Sequence, residues 1–209
     1  GQYNSWSQGS SCMKVAASDN IVVFRASEVA FLRAEGALRG WNMGGSPKDL
    51  YEAGIRLSFE ENNISSGVES YLANTGKVEG YKDPLKGQSG QTYDYSGSIN
   101  TAVTVAWAGG DFEKSLEQII TQKWIANFPN GMESWSEYRR TGYPKLMPMA
   151  ANASSGIVDD TEGARRMPYP TDEYRENKES VEAAVLTLTQ ESKTKKGDSM
   201  ATHVWWDCK

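Results

Sequence analysis

Two amphipathic segments on either side of Gly44-Gly45 limit the folds open to this 209-residue chain. In the first segment, apolar residues recur at helical spacing from Ser27, a predicted N-cap, to Trp41. In the second, Ser46 is the predicted N-cap and Pro47 takes the first helical position. A connection this short makes the helices antiparallel neighbours, as in a helix-turn-helix unit of the tetratricopeptide kind. Small residues allow their backbones to approach closely: Ala34, Gly36, Ala53 and Gly54.

Further helical patterns predict a mainly α fold with little β structure. Ser66 and Glu69 form a capping box for a short third helix, which Gly76 ends. Asp111 is the predicted N-cap of a longer, buried helix with the apolar residues Phe112, Leu116, Ile119, Ile120, Trp124 and Phe128. Two later helices carry Met132, Trp135 and Tyr138, and then Val181, Ala184, Val185 and Leu188. The C-terminal Val204-Trp205-Trp206 is predicted to be extended and packed on the helices.

The helical periodicity fails between residues 77 and 110, where Gly, Ser, Asp and Tyr are frequent. An irregular segment of this length is uncommon in a compact domain unless it has a function. We therefore expect a long ordered loop with a binding role. We expect residues 1–20 to be a flexible or extended lead-in, and residues 21–209 to form one helical domain that carries this loop.

Composition argues against several classes of protein. The chain has 22 basic and 27 acidic residues, a net charge of -5, and no long basic stripe, so nucleic acid is a poor partner. No apolar run reaches the roughly 20 residues that a membrane-spanning helix needs. Cys12 and Cys208 fit neither the spacing of metal ligands nor that of a redox pair. A terminal disulfide and two free buried thiols both remain open for them.

Catalysis and metal binding have little support. A glycosidase needs two carboxylates facing each other across a cleft, whereas Asp159, Asp160 and Glu162 are adjacent in one loop and are interpreted as solvated charge. His203 is the only histidine, and with two distant cysteines it does not provide the usual ligands of zinc. A calcium loop starting at Asp94 lacks the glycine and the glutamate that such a loop requires. We predict no enzyme activity, no metal and no cofactor.

Several tracts, in their order along the chain, resemble the C-terminal part of the SusD/RagB-like family of outer-membrane nutrient-binding lipoproteins. They are ASEVAFLRAE at 26–35, LYEAGI at 50–55, QKWIA at 122–126, ESWSEYRRTGYP at 133–144, RRMPYP at 165–170, and WWD at 205–207. The resemblance runs from about residue 20 to the end of the sequence. It depends on the joint order of the tracts, because no single tract is specific.

The resemblance implies a tetratricopeptide-like α-α superhelix with long irregular loops. It also implies a protein without catalytic activity that binds glycans at the extracellular face of the outer membrane and delivers them to a SusC-like TonB-dependent porin. An N-terminal lipid anchor, absent from this chain together with the family's N-terminal half, would be the only attachment to the membrane. Helix pairs of this kind also present concave surfaces to peptides, so a protein-interaction scaffold without a sugar ligand is the alternative.

A sugar-binding surface needs flat apolar rings bordered by hydrogen-bonding groups, and the loop at 77–110 offers both. We predict that Tyr93, Tyr95 and Trp107 contact the ligand, with Asn100 as a polar neighbour. For each ring the alternative is that it pins the loop to the helices.

Overall fold

The computed structural model describes residues 16–18, 21–77, 80–81, 95–96, 103–148 and 152–207. These residues are mainly helical, which confirms the predicted fold class. The elements are α1 (Ala26–Leu38), α2 (Pro47–Glu61), α3 (Val68–Leu72), β1 (Gly80–Tyr81), β2 (Tyr95–Ser96), α4 (Phe112–Ala126), α5 (Gly131–Thr141), α6 (Thr171–Glu176) and α7 (Lys178–Glu191). The two short strands pair antiparallel, with Gly80 opposite Ser96.

The chain divides into two compact units, Gly1–Ser134 and Trp135–Lys209, and the division falls within α5. The single helical domain over residues 21–209 stays a prediction. Cys12 and Cys208 lie outside the described residues, as does most of the loop between residues 77 and 103.

The core of the first unit lies where α1 packs against α2 and α4. Its buried apolar side chains are Ala30, Phe31, Ala34, Leu50, Tyr51, Ile55, Leu116, Ile119 and Ile120. The predicted close approach of α1 and α2 is confirmed at Gly54, where a Cβ would lie 2.8 Å from the Phe31 ring. At Gly36 a Cβ would instead meet the Met43 side chain at 2.9 Å, so this glycine makes room for the connection and not for α2.

The predicted start of α1 is wrong by two residues. Arg25, not Ser27, is the N-cap, and no side chain caps the helix. The Ser27 hydroxyl donates to Glu61 Oε2 at 2.6 Å, and its backbone N–H donates to Glu61 Oε1 at 2.9 Å. A carboxylate at the far end of α2 has therefore replaced the local cap. The helix also ends at Leu38, so Trp41 does not extend the buried stripe and is 63% exposed.

The other N-caps differ in how well the sequence predicted them. Ser46 accepts a hydrogen bond from the Asp49 backbone N–H and Asp111 accepts one from that of Glu113, which confirms both predictions. The capping box at Ser66 is wrong, because Gly67 is the N-cap of α3 and forms no side-chain cap.

Helix α4 is only partly buried, in contrast to the prediction. The middle of its apolar stripe, Leu116, Ile119 and Ile120, lies in the core. The ends of the stripe are exposed: Phe112 and Trp124 to 39% each, and Phe128, which follows the helix, to 67%. Polar residues on the adjoining side of the helix are buried instead: Ser115, Gln118, Gln122 and Lys123.

The second unit is organised around buried charged side chains. Arg165 and Asp207 are each only 2% exposed, and Arg165 Nε donates to Asp207 Oδ2 at 2.8 Å while Nη2 pairs with Oδ1. The Arg139 guanidinium lies 3.5 Å from the centre of the Trp135 ring and 4.7 Å from that of Trp206. These contacts join α5 to the irregular segments that follow it.

The C-terminal tract turns where an extended segment was predicted. The Asp207 N–H donates to Val204 O at 3.0 Å, and Trp205 between them is 90% exposed. Arg165 binds Asp207, and the Arg139 guanidinium stacks on the Trp206 ring. These two arginines hold the tract in place. Most of the Trp205 side chain is therefore exposed to solvent.

Candidate functional site

One buried amide makes three hydrogen bonds to the irregular segment 103–110, which precedes α4. Gln118 is 1% exposed, and its Nε2 donates to Thr104 O at 2.8 Å and to Ala106 O at 2.9 Å. Its Oε1 accepts from the Ala108 N–H at 3.2 Å. One side chain therefore satisfies three backbone groups that have no helix or sheet to pair with. This arrangement fixes the path of the segment without any secondary structure.

Tyr51 of α2 provides the second attachment and supports the Trp107 ring. Its hydroxyl donates to Val105 O at 2.7 Å, and its ring centre lies 5.1 Å from that of Trp107 at an interplanar angle of 49°. Burial raises the pKa of Tyr51, so the phenol stays protonated and remains a hydrogen-bond donor. Because Tyr51 is itself buried, Trp107 rests on a rigid base.

A cleft of about 440 Å³ opens beside Trp107, which is half-buried. Gly109 and Gly110 turn the chain into α4 with φ values of +62° and +87°, a region that favours glycine. A Cβ on Gly109 would lie 3.1 Å from Trp107 Nε1, so a larger residue here would crowd the indole. The polar and aromatic groups of the cleft come from three elements: Ser46, Lys48, Trp107, Asp111, Phe112 and Ser115.

The cleft combines a ring with a few charges and hydroxyl groups, which suits a polyhydroxylated ligand. The Trp107 indole offers apolar surface and an N–H donor, and the Lys48 ammonium offers a second donor. Asp111 is the one carboxylate among the lining residues described, and its Oδ1 accepts the Glu113 N–H at 3.1 Å. The arrangement can therefore hold a ligand by stacking and hydrogen bonding.

Of the four residues predicted to bind a ligand, Trp107 alone is described with its side chain. Tyr93 and Asn100 lie outside the described residues, and Tyr95 is described only through its backbone, which pairs with Tyr81. The site as a whole stays a prediction. Trp107 packs on Tyr51 of α2 and also lines a cleft, so its packing role is observed and its contact with a ligand stays a prediction.

Sequence reasoning missed Tyr51 and Gln118, which position Trp107. A weak signal for Gln118 existed, because Ser115, Gln118 and Gln122 recur at helical spacing beside the apolar stripe of α4. Such a polar stripe ordinarily faces solvent. Only the path of segment 103–110 shows that it is covered.

The acidic loop in the second unit is more structured than solvated charge. Backbone N–H groups of Glu162 and Thr161 donate to Asp159 and lower the pKa of its carboxyl. Glu162 Oε2 lies 2.7 Å from Nε2 of the buried His203. Within the residues that the structure describes, no group of three or more His, Cys, Asp or Glu side chains is placed to hold a metal ion.

Within the parts of the chain that the structure describes, no helix is both long and apolar enough to span a lipid bilayer.

Comparison with known proteins identifies relatives over nearly the whole chain. The family model described as "Susd and RagB outer membrane lipoprotein" matches residues 1–207. No relative was found among curated protein sequences.

Solved structures include similar proteins. A SusD homologue from Bacteroides ovatus ATCC 8483 is 88% identical, with a TM-score of 0.90, and the match covers 100% of this chain and 42% of that one. A homologue from Bacteroides thetaiotaomicron VPI-5482 is 50% identical, with a TM-score of 0.81, over 94% of this chain and 40% of that one.

A third relative has a stated ligand. A chitin-binding SusD homologue from Flavobacterium johnsoniae is 44% identical, with a TM-score of 0.75, over 90% of this chain and 37% of that one. The chain thus spans about two fifths of the length of these relatives, and its helices follow their tetratricopeptide-like fold. By sequence and by structure, the chain belongs to the SusD-like family.

Proposed function

We propose that the chain supplies a glycan-binding surface to a protein of the outer membrane, which captures oligosaccharides outside the cell and passes them to a SusC-like TonB-dependent porin. The observation that carries the proposal is the position of Trp107. Its ring lines a cleft, and it is supported by Tyr51 on a segment that Gln118 holds in place. The family's description as an outer membrane lipoprotein and the chitin-binding relative support the same function.

The mechanism is reversible capture without bond cleavage. The Trp107 ring stacks on the C–H face of a sugar, and the Lys48 ammonium donates hydrogen bonds to its hydroxyl groups. A preformed site loses little entropy on binding, so even a shallow cleft can bind an oligosaccharide. Tyr93, Tyr95 and Asn100 extend this surface in the proposal.

The test is calorimetric titration of the chain with hexasaccharides of N-acetylglucosamine, glucose, xylose and mannose. Trp107→Ala should weaken the binding of the preferred hexasaccharide by about three- to tenfold, the effect of one lost aromatic contact. Trp41→Ala is the matched control, because Trp41 is an exposed tryptophan of the same unit that does not line the cleft. If no oligosaccharide binds the unmodified chain, or if Trp107→Ala binds as well as Trp41→Ala, the proposal is wrong.

A protein-interaction scaffold remains the second candidate, because the first unit exposes large apolar side chains. Ile21, Val23 and Phe128 are 90%, 86% and 67% exposed, and such surface is typical of protein contacts when it is contiguous. A pull-down with the TonB-dependent porin tests delivery separately from sugar binding. Porin capture without any saturable sugar binding would favour the scaffold.

A further inference from the structure

Two further clefts of the first unit lie next to each other along α4 and share no lining residue with the Trp107 cleft. The first has a volume of about 290 Å³ and is mainly apolar, with Phe31, Ile55, Phe59 and Ile64 in its lining. The second, of about 310 Å³, has more polar residues in its lining, among them Asn74, Lys77 and Thr104. Tyr71, Gln122 and Ile125 line both clefts. Whatever fills the two clefts therefore meets the same three side chains.

The side-chain amide oxygen of Gln122 has a hydrogen-bond partner, and its amide nitrogen can bind a ligand in the clefts. Its Oε1 accepts the Tyr71 hydroxyl at 2.9 Å, and this hydrogen bond orients the amide plane. The residue is only 7% exposed, yet among the described residues Nε2 has no hydrogen-bond partner. Nε2 is not fully buried, so this oriented donor at the wall of a cleft is accessible to a ligand that brings an acceptor.

The surroundings of this donor narrow the chemistry of the ligand. Carboxylates are absent from the described lining of both clefts, and Lys77 is the one charged residue there. The apolar cleft begins directly beside the Gln122 amide, and the Tyr71 ring packs on Phe59 at 5.5 Å between ring centres. The complementary group is neutral, with a carbonyl oxygen to accept from Nε2 and a small apolar end. An acetyl group has both features.

We propose that the Tyr71–Gln122 wall binds the acetamido group of an N-acetylated sugar. The acetyl carbonyl accepts from Gln122 Nε2, the methyl group packs in the apolar cleft, and the sugar ring lies towards Asn74 and Thr104. The inference rests on the proposed glycan-binding function and adds the class of sugar that the chain prefers. Trp107 stacks on any flat sugar face, whereas Gln122 selects for the acetyl substituent.

The experiment compares two neutral β-1,4-linked hexasaccharides by calorimetry: that of N-acetylglucosamine, and cellohexaose, which has a hydroxyl group in place of each acetamido group. The unmodified chain should bind the acetylated ligand about tenfold more tightly. Gln122→Glu keeps an oxygen for the Tyr71 hydroxyl and removes the amide donor, so it should reduce this preference to about twofold or less. Trp107→Ala is the comparison and should weaken both ligands by a similar factor.

The outcomes separate this inference from the proposed function. Equal binding of the two hexasaccharides, binding of neither while another sugar binds, or an undiminished preference in Gln122→Glu would each overturn the acetyl site and leave glycan binding intact. Absence of all sugar binding would reject both proposals. Gln122→Leu, which has no charge at any pH, provides a second variant, and thermal melts of both variants check that they fold.

Discussion

The two units stabilise their irregular segments with different chemistry. In the first unit, segment 103–110 is held by neutral groups, namely the Gln118 amide and the Tyr51 hydroxyl. In the second unit, the tracts around Arg165 and Asp207 are joined by a buried ion pair. Both devices replace the regular hydrogen bonds that an irregular backbone lacks. They differ in what happens when one partner is lost or when the solvent changes.

A neutral amide and a buried charge respond differently to removal of a partner. Without its amide partner, a backbone carbonyl can still bond to water if the segment moves. A buried guanidinium without its carboxylate retains an uncompensated charge in a medium of low polarity. Segment 103–110 can therefore tolerate change beside the cleft, while the tracts around Arg165 and Asp207 depend on a complete charge pair.

The largest effect is expected for Asp207→Asn, which leaves Arg165 charged and buried without a carboxylate. The free energy of unfolding should fall by about 3–5 kcal/mol, as is typical when one partner of a buried pair is removed. Urea denaturation measures the loss. Asp172→Asn is the control, because Asp172 pairs with Arg175 at the surface, where the side chains are 76% and 70% exposed. A loss in Asp207→Asn no larger than in this control would contradict a charge-dependent second unit.

The next largest loss of stability is expected for the Gln118 amide, the neutral group that holds segment 103–110. Gln118→Leu removes three hydrogen bonds to segment 103–110 and should lower the free energy of unfolding by about 2–3 kcal/mol. The freed segment should also misplace Trp107, so binding of the preferred hexasaccharide should weaken in the same variant. Lys114→Met, an exposed change on the same helix, should alter neither quantity. Weakened stability with unchanged sugar affinity would show that Trp107 does not depend on this anchor.

The separation along the chain between hydrogen-bonded residues explains which parts of the structure the sequence could predict. The N-caps at Ser46 and Asp111 were predictable because each accepts from a backbone N–H two or three residues away. Ser27 was not, since its partner Glu61 is 34 positions distant. The Arg165–Asp207 pair spans 42 positions, and periodicity carries no information about such contacts.

The candidate site shows the same limit. Trp107 was predictable as a ring in a Gly-rich, nonperiodic segment, because local composition marks such loops. Tyr51 and Gln118 were not recognised, because their roles depend on where segment 103–110 returns to the helices. The clefts beside Gln122 likewise combine residues of α1, α2, α3 and α4 that only the fold brings together.

The pH dependence of the free energy of unfolding should also distinguish the two units, and this effect is expected to be intermediate in size. Burial opposes ionisation of Asp198, but hydrogen bonds from Arg166, Tyr174 and the Tyr169 N–H outweigh it and lower the pKa of the carboxyl. The contribution of the ionised Asp198 carboxyl to the free energy of unfolding is therefore complete above the unfolded pKa of about 3.9. It is lost as the pH falls through the lower pKa of the folded state. Asp198→Asn should cost about 2 kcal/mol at neutral pH, and this cost should shrink in acid.

Urea denaturation of both proteins at several pH values from about 7 down to about 2 measures this change. Gln118→Leu is the comparison from the first unit, because its penalty involves no titrating group and should stay constant until the chain unfolds. A cost of Asp198→Asn that does not decrease in acid would remove pH sensitivity as a difference between the units.

The smallest effect is expected for the charges at the surface of the first unit. Lys48 Nζ lies 3.6 Å from Glu52 Oε1, with side chains 57% and 28% exposed, so Lys48→Met should cost only about 0.3–0.5 kcal/mol. This cost should vanish in about 1 M salt, where charges are screened beyond about 3 Å, whereas the penalty of Asp207→Asn should persist because its partner is buried. Denaturation at low and high salt compares the two variants. A Lys48→Met penalty above about 1 kcal/mol that salt leaves unchanged would mean that this surface pair stabilises the first unit as a buried pair does.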